Sequence, residues 1–277
     1  MDSLIQLKCL KEACRRRELV FEEYDDFGNL VGVFSGGRQY FFANYATPFN
    51  ESAVDQVCKD KEFTHRIIGK VVKMPIAKGY FDPNYPREGY DRYKKFQSAE
   101  EISADIQSEF PLPVIVKMNS GSRGVNVFLC GNVQEIKNSI AKIFTPASPD
   151  YDYIALAEEF VTIEKEYRAV VFDRKILLLY RKDNSAGKYL GNLSPLHFSG
   201  SRAVPVGNPS LIEEFEKFLV PVYEKLPLRF AGFDIARDRE GRLWLIEINS
   251  RPGFAIFIRD NGERAVVELY SKILGAL

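Results

Sequence analysis

Apolar residues recur at helical spacing (Leu4, Ile5, Leu7, Leu10, Ala13) over Ser3 to Glu18, which predicts an amphipathic helix. Between Leu19 and Tyr45 the period shortens to strand-like alternation, broken by Asp25 to Gly28 and by Gly36-Gly37, so short strands joined by turns are expected. Asn50 and Ser52 are candidate caps for a helix reaching about Gly69. Pro75 to Phe96 reads as an irregular Tyr- and Pro-rich cover containing Tyr80, Tyr85, Tyr90 and Tyr93, and a second helix starts near Ser98 with Glu100 and Glu101 in its first turn.

From Pro113 the pattern changes to strand (Val114 to Lys117), glycine loop, strand (Val125 to Leu129) and helix (Val133 to Phe144). Strands near Ile154 to Val161, Tyr167 to Phe172 and Lys175 to Arg181 follow. Asp183 to Val206 is long, polar and rich in Gly, Ser and Asn, which in a compact domain marks a functional loop. A helix (Pro209 to Leu226), a hairpin (Arg229 to Asn249) and a terminal helix (Gly262 to Leu274) complete an α+β plan.

Composition narrows the partners. With 38 Lys plus Arg against 38 Asp plus Glu the formal charge is zero, which argues against capture of nucleic acid by phosphate neutralisation. The longest apolar runs are strand-sized, as at Lys175 to Tyr180, and the N-terminus carries Lys8, Lys11, Glu12 and Arg15 to Arg17 instead of a secretory core. No membrane partner and a cytoplasmic location are therefore expected. Cys9, Cys14, Cys58 and Cys130 form no C-x-x-C pair, and His65 and His197 have no companion at metal-site spacing, so buried free thiols are expected.

The hairpin carries the strongest chemical signal. Alternation runs through Phe233 to Asn249 on both sides of Glu240-Gly241, a dipeptide suited to a tight turn. Centring the loop there pairs Phe233 with Ile248, Ile235 with Ile246 and Arg237 with Trp244 on one face. On the other face Asp234 meets Glu247, and Asn249 lies two residues further on. Like charges directly opposite are destabilising unless a proton or cation intervenes, and two carboxylates plus an amide oxygen suit Mg²⁺. The competing reading is a solvated hairpin face.

Lys117 ends an apolar strand and leads into Ser120-Gly121-Ser122-Arg123-Gly124, whose glycines let backbone N–H groups approach an anion. The loop is neither G-x-G-x-x-G nor a P-loop, and alone it is as compatible with a plain hairpin turn. Downstream, Glu158-Glu159-Phe160-Val161 closes one strand and Glu166-Tyr167-Arg168 opens another. In isolation these are surface charges.

Taken together the motifs resemble the ATP-grasp superfamily over about residues 50 to 255. The carriers are Val114 to Lys117 with Ser120 to Gly124, Glu159 to Val161 with Glu166 and Arg168, and Gly232 to Asp234 with Glu247 to Asn249 and Arg251 to Gly253. The pattern is most similar to the branch containing glutathione synthetases, ribosomal-protein glutamate ligases and cyanophycin synthetases. The resemblance implies two α+β subdomains, at 51–160 and 161–277, clamping ATP behind a short N-terminal segment, 1–50. It implies that Lys117 and the loop Ser120, Gly121, Ser122 and Gly124 hold the phosphates, that Glu159, Phe160 and Val161 read adenine, and that Glu166 holds ribose. It further implies that Asp234, Glu247 and Asn249 ligate Mg²⁺, and that Lys61 or Arg66 adds an earlier phosphate contact.

The expected reaction joins an amine to a carboxylate through an acyl phosphate, with small-molecule or peptide substrates; a homodimer is compatible with the short N-terminal segment. Arg168, Arg181 and Arg251 are candidates for cradling the intermediate, because Arg binds such groups bidentately. Asn192, in Gly191-Asn192-Leu193, has a similar place in the resembling ligases. The alternatives are a kinase using the same site on a hydroxyl and a non-enzymatic nucleotide-binding partner.

Overall fold

Three apolar clusters organise the chain, two of them on opposite faces of one five-stranded sheet and the third on a four-stranded sheet. The computed structural model describes residues 4–121, 124–185 and 200–277. Helix α1 (Ile5–Arg16) buries the Leu7, Leu10, Ala13 and Cys14 stripe against α8 (Arg264–Leu274). The antiparallel strands β1 (Phe21–Glu23), β2 (Leu30–Ser35) and β3 (Arg38–Ala43) then form a three-stranded sheet, as their alternation predicts.

The expected single helix to Gly69 is two helices, α2 (Ser52–Lys59) and α3 (Lys61–Ile68). Asp60 breaks it: its backbone is extended, and its carboxylate accepts from Phe63 N at 2.9 Å, capping α3. A side-chain cap competes with continuation of the helix, which spacing of apolar residues does not reveal. The irregular stretch likewise contains a strand, β4 (Ala77–Phe81), which buries Tyr80 with its hydroxyl on Asp105. The half-buried Tyr85 and Tyr90 and the exposed Tyr93 instead gather around Phe81.

Helix α4 (Ala99–Glu109), capped by Ser98, packs with α5 (Val133–Ile143) on a four-stranded sheet of order β4-β7-β5-β6, where β5 is Val114–Met118, β6 Val127–Cys130 and β7 Ile154–Glu159. Ile102, Ile106, Val114, Val116, Ile136 and Ile140 close this cluster.

The five-stranded antiparallel sheet has the order β10-β9-β8-β11-β12. Its strands are β8 (Ile163–Phe172), β9 (Lys175–Asp183), β10 (Arg202–Pro205), β11 (Phe230–Asp238) and β12 (Leu243–Asn249). β10 lies inside the stretch expected to be loop. One face, with Tyr167, Ala169, Phe233, Ile235 and Ile248, packs against α6 (Pro209–Lys225) and also takes Val54, Cys58 and Ile68 of α2 and α3. Part of the other face, with Val170, Phe172, Tyr180 and Phe230, is covered by α1, α8 and the short α7 (Ala255–Asn261). The rest of that face is charged and holds the candidate site. No helix among the described residues is long and apolar enough to cross a membrane.

The β11–β12 hairpin turns where the sequence places it, with Gly241 at φ +82°, a conformation glycine tolerates best. Its register agrees with expectation at Phe233↔Ile248 and Asp234↔Glu247, but a bulge after Asp234 shifts the remainder by one. Ile235 therefore faces Leu245 instead of Ile246, and Arg237 faces Leu243 instead of Trp244. Asp238 accepts from Trp244 Nε1 at 2.9 Å and Arg242 Nε at 2.7 Å.

Burial of Asp238 would raise its pKa, but these donors outweigh it and hold the carboxyl at about 2, below its ordinary 3.8. A depressed folded value stabilises above the unfolded pKa, so the contribution fades as pH falls from about 4 toward 2. Trp244 is the sole tryptophan, and its emission should change over that window before global unfolding. Emission that stays constant until far-UV circular dichroism collapses would count against this coupling.

Candidate active site

Strand parity assembles the charged face. Glu247 on β12 stands opposite Asp234 on β11, which stands opposite Arg168 on β8, so one row crosses three strands. Glu166 pairs with Ala236 on the same face, two residues along. Lys182 on β9 reaches this group, donating to Asp234 at 2.8 Å and to Glu166. Arg168 donates to both Asp234 oxygens, through Nε and, at 2.8 Å, through NH2. Gly232 makes room for the arginine: a Cβ there would lie 3.0 Å from Arg168 Cδ and 3.1 Å from Pro252 Cβ.

The like-charge conflict between Asp234 and Glu247 is thus relieved by interleaved cations. Burial would raise the Asp234 pKa, yet Arg168 and then Lys182 hold it below the usual carboxylate value. Burial would lower Lys182, and Asp234 with Glu166 raises it instead. Glu166 is pushed up, because burial outweighs Lys182. Glu247 is more open and pairs with Lys61 at 3.1 Å.

Lys61, at the start of α3, also donates to Gly121 O at 2.5 Å and Asn119 O at 3.3 Å, tying the glycine loop to β12. Arg66, the other early candidate, pairs with Glu62 in solvent. Gly121 is closely packed, since a Cβ there would lie 2.9 Å from Met118 Cβ, and Gly124 has φ +70°. Lys117 turns inward from β5 and pairs with buried Glu158 at 2.7 Å. Cys58, Lys61, His65, Lys117, Glu158 and Glu247 line one cavity between the two larger sheets.

Sequence reasoning missed Glu158 and Lys182, in both instances by one residue. Glu159, its proposed neighbour at the adenine edge, has its N–H on Ile76 O at 2.8 Å and its carboxylate on Ile76 N at 3.2 Å. Glu158, not Glu159, faces the cavity. Phe160 is largely exposed, and with Val161 it forms the link from β7 to β8. Arg181 pairs with Asp183 at 3.0 Å and is absent from the charged row, which takes Lys182. Alternation along each strand was the signal available: Lys182 shares parity with Tyr180, which sits in register with Arg168. Arg168 is brought in, but as the partner of Asp234, and Arg251 is held by Asp55 of α2 at 2.9 Å. Ser122 and Asn192 lie outside the described residues, as does the 186–199 portion of the long polar loop.

Among the described residues no group of three His, Cys, Asp or Glu side chains is placed to hold a metal alone. Two facing carboxylates and Asn249, paired with Gly232 at the end of β12, nevertheless match the way Mg²⁺ is held by one or two carboxylates with phosphate oxygens. Among the described residues the buried Asn249 side-chain nitrogen has no partner, so the amide has no competing hydrogen bond through that atom. The residues fit the ion once Arg168 and Lys182 give up Asp234 and Lys61 gives up Glu247.

Residues 92–273 match the model of the RimK-like ATP-grasp domain. A probable alpha-L-glutamate ligase of Picosynechococcus sp. is 27% identical over 158 residues, 56% of this chain and 48% of that protein. D-alanine–D-alanine ligase B of Clostridium perfringens is 26% identical over 165 residues, 57% of this chain and 50% of that one. The chain spans about half the length of the curated relatives it matches. In fold it is similar to the crystal structure of the Bacillus anthracis D-alanine–D-alanine ligase, with a TM-score of 0.57 and 17% identity over 82% of this chain and 68% of that one.

Proposed function

Because this chain belongs to the RimK-like ATP-grasp family, we propose that it is an ATP-dependent carboxylate-amine ligase joining an amino acid or peptide to a carboxylate. The observation that carries this reading is the row Glu247, Asp234, Arg168 on one sheet, whose Glu247 end borders a cavity that Lys117 and Glu158 line from the other. A nucleotide at this junction would meet a cation and a carboxylate from each side, Lys117 with Glu158 and Lys61 with Glu247.

A carboxylate resists attack because the leaving group would be oxide. Transfer of the ATP γ-phosphoryl group gives an acyl phosphate, whose phosphate an amine can displace. Mg²⁺, when bound, would neutralise charge on the transferring group. Asp234, Glu247 and Asn249 would hold it. Lys117 and Lys61 would exchange their carboxylate partners for phosphate oxygens, and Lys182 would do so from Asp234. Glu158 would accept from the adenine amine and Glu166 from ribose. The glycine loop from Ser120 to Gly124, with Ser122, would cover the phosphates, while Arg251 and the Asn192 loop would border the acyl phosphate. Lys61, not Arg66, is the earlier phosphate contact in this reading.

The test is a screen of the twenty L-amino acids, dicarboxylic acids and hydroxy acids with Mg-ATP and hydroxylamine, which traps an acyl phosphate as hydroxamate. One acid should give hydroxamate and matching ADP. Recovery of a stable phosphate ester would replace the ligase with a kinase, and absence of ATP turnover across the panel would leave only nucleotide binding.

A further inference from the structure

The N-terminal segment and α2 wrap the loop that follows β12. The Tyr45 ring lies 3.1 Å from where a Cβ on Gly253 would stand, and Asn50 Nδ2 donates to Phe230 O at 2.7 Å and Ser250 O at 3.5 Å. Asp55 then takes both Nε, at 3.0 Å, and NH2, at 2.9 Å, of Arg251 on its single oxygen Oδ2. The other oxygen, Oδ1, is buried and has no hydrogen-bond partner among the described residues. An unpaired buried acceptor is costly, so it points to a donor supplied from outside them.

Its position says which donor. One helical turn beyond Asp55, Cys58 lines the cavity shared with Lys61, Lys117 and Glu247. Arg251 lies two residues after Asn249, and its side chain is 56% exposed against 12% for Asp55. Arg251 is therefore the partner that can turn to another anion, and Asp55 is the one left enclosed.

We infer that Asp55 is the specificity-determining residue for the amine substrate: it receives the ammonium when Arg251 turns to the acyl phosphate. The inference rests on the ligase reading. An acyl phosphate dianion competes for the guanidinium, and the carboxylate left behind requires a cation with N–H donors for both oxygens, which an ammonium supplies and a neutral amine does not. Activation would thus open the amine site only after the carboxylate is committed. In the step that follows, the ammonium first gives one proton to solvent, and the lone pair so freed on nitrogen bonds to the acyl carbon as the bond from that carbon to the phosphate oxygen breaks. Of the two remaining protons on nitrogen one stays in the amide and one leaves on the phosphate.

The experiment uses the acid selected by the hydroxylamine screen and compares two nucleophiles. Hydroxylamine is uncharged at neutral pH, whereas the twenty L-amino acids present an ammonium. Asp55→Asn should lower the ratio of amide to hydroxamate formation by at least about tenfold, through a raised KM for the amino acid, and Asp55→Glu should recover part of it. An unchanged ratio, a parallel loss of both products, or a wild type that makes hydroxamate but no amide with any amino acid overturns the role of Asp55. A wild type that makes no hydroxamate overturns the ligase reading and this inference with it.

Discussion

Asp234→Ala should lower the melting temperature by roughly 10 °C and abolish measurable turnover. Arg168 and Lys182 both donate to this carboxylate, and their side chains are only 16% and 4% exposed. Removing it takes from Arg168 its ion-pair partner and leaves Lys182 with Glu166, and breaking a buried pair in this way costs about 3–5 kcal/mol. For a chain of this size that loss corresponds to a shift on the order of 10 °C. The fold around it should persist as a weakened version of the same structure, because Phe233 and Ile235, on either side in sequence, bury their side chains on the other face. Differential scanning calorimetry gives the answer, and a variant melting within about 1 °C of the wild type would show that the cations do not depend on Asp234.

Glu247→Gln should behave in the opposite way. This carboxylate is directly opposite Asp234 but 27% exposed, and among the described residues it pairs with Lys61. A pair open to water contributes about 0–1 kcal/mol, so the melting temperature should hold within about 2 °C. The isosteric amide retains the oxygen but removes the charge placed for Mg-ATP, and loss of such preorganised electrostatics should reduce hydroxamate formation by about 10²–10³. Turnover near the wild-type value would remove Glu247 from the proposed site. Two facing carboxylates would thus divide labour: Asp234 supports the sheet and the chemistry, Glu247 the chemistry alone.

Paired backbone positions were legible in the sequence wherever a local rule governs them. Glu240-Gly241 sets a turn, and period-two alternation then brings Asp234 opposite Glu247, thirteen positions on, close enough for turn geometry to set register. Ser98 caps its helix through its own side chain, and a terminal amphipathic helix follows from its apolar spacing. The motifs around Lys117, Glu166 and Asp234 likewise suffice to place the chain in its family.

Tertiary structure alone decided how the charges are partnered. The bulge after Asp234 exchanges Ile246 for Leu245 opposite Ile235, a one-residue change that composition does not encode. Selection of Glu158 over Glu159 and Lys182 over Arg181 depends on which face of each strand meets the cavity, and that follows from pairing with strands far away in sequence. Arg168 on Asp234 and Arg251 on Asp55 join residues 66 and 196 positions apart. Sequence specifies which charges exist and their local parity; burial, by making every unpaired charge costly, selects their partners only when the sheets and helices have come together.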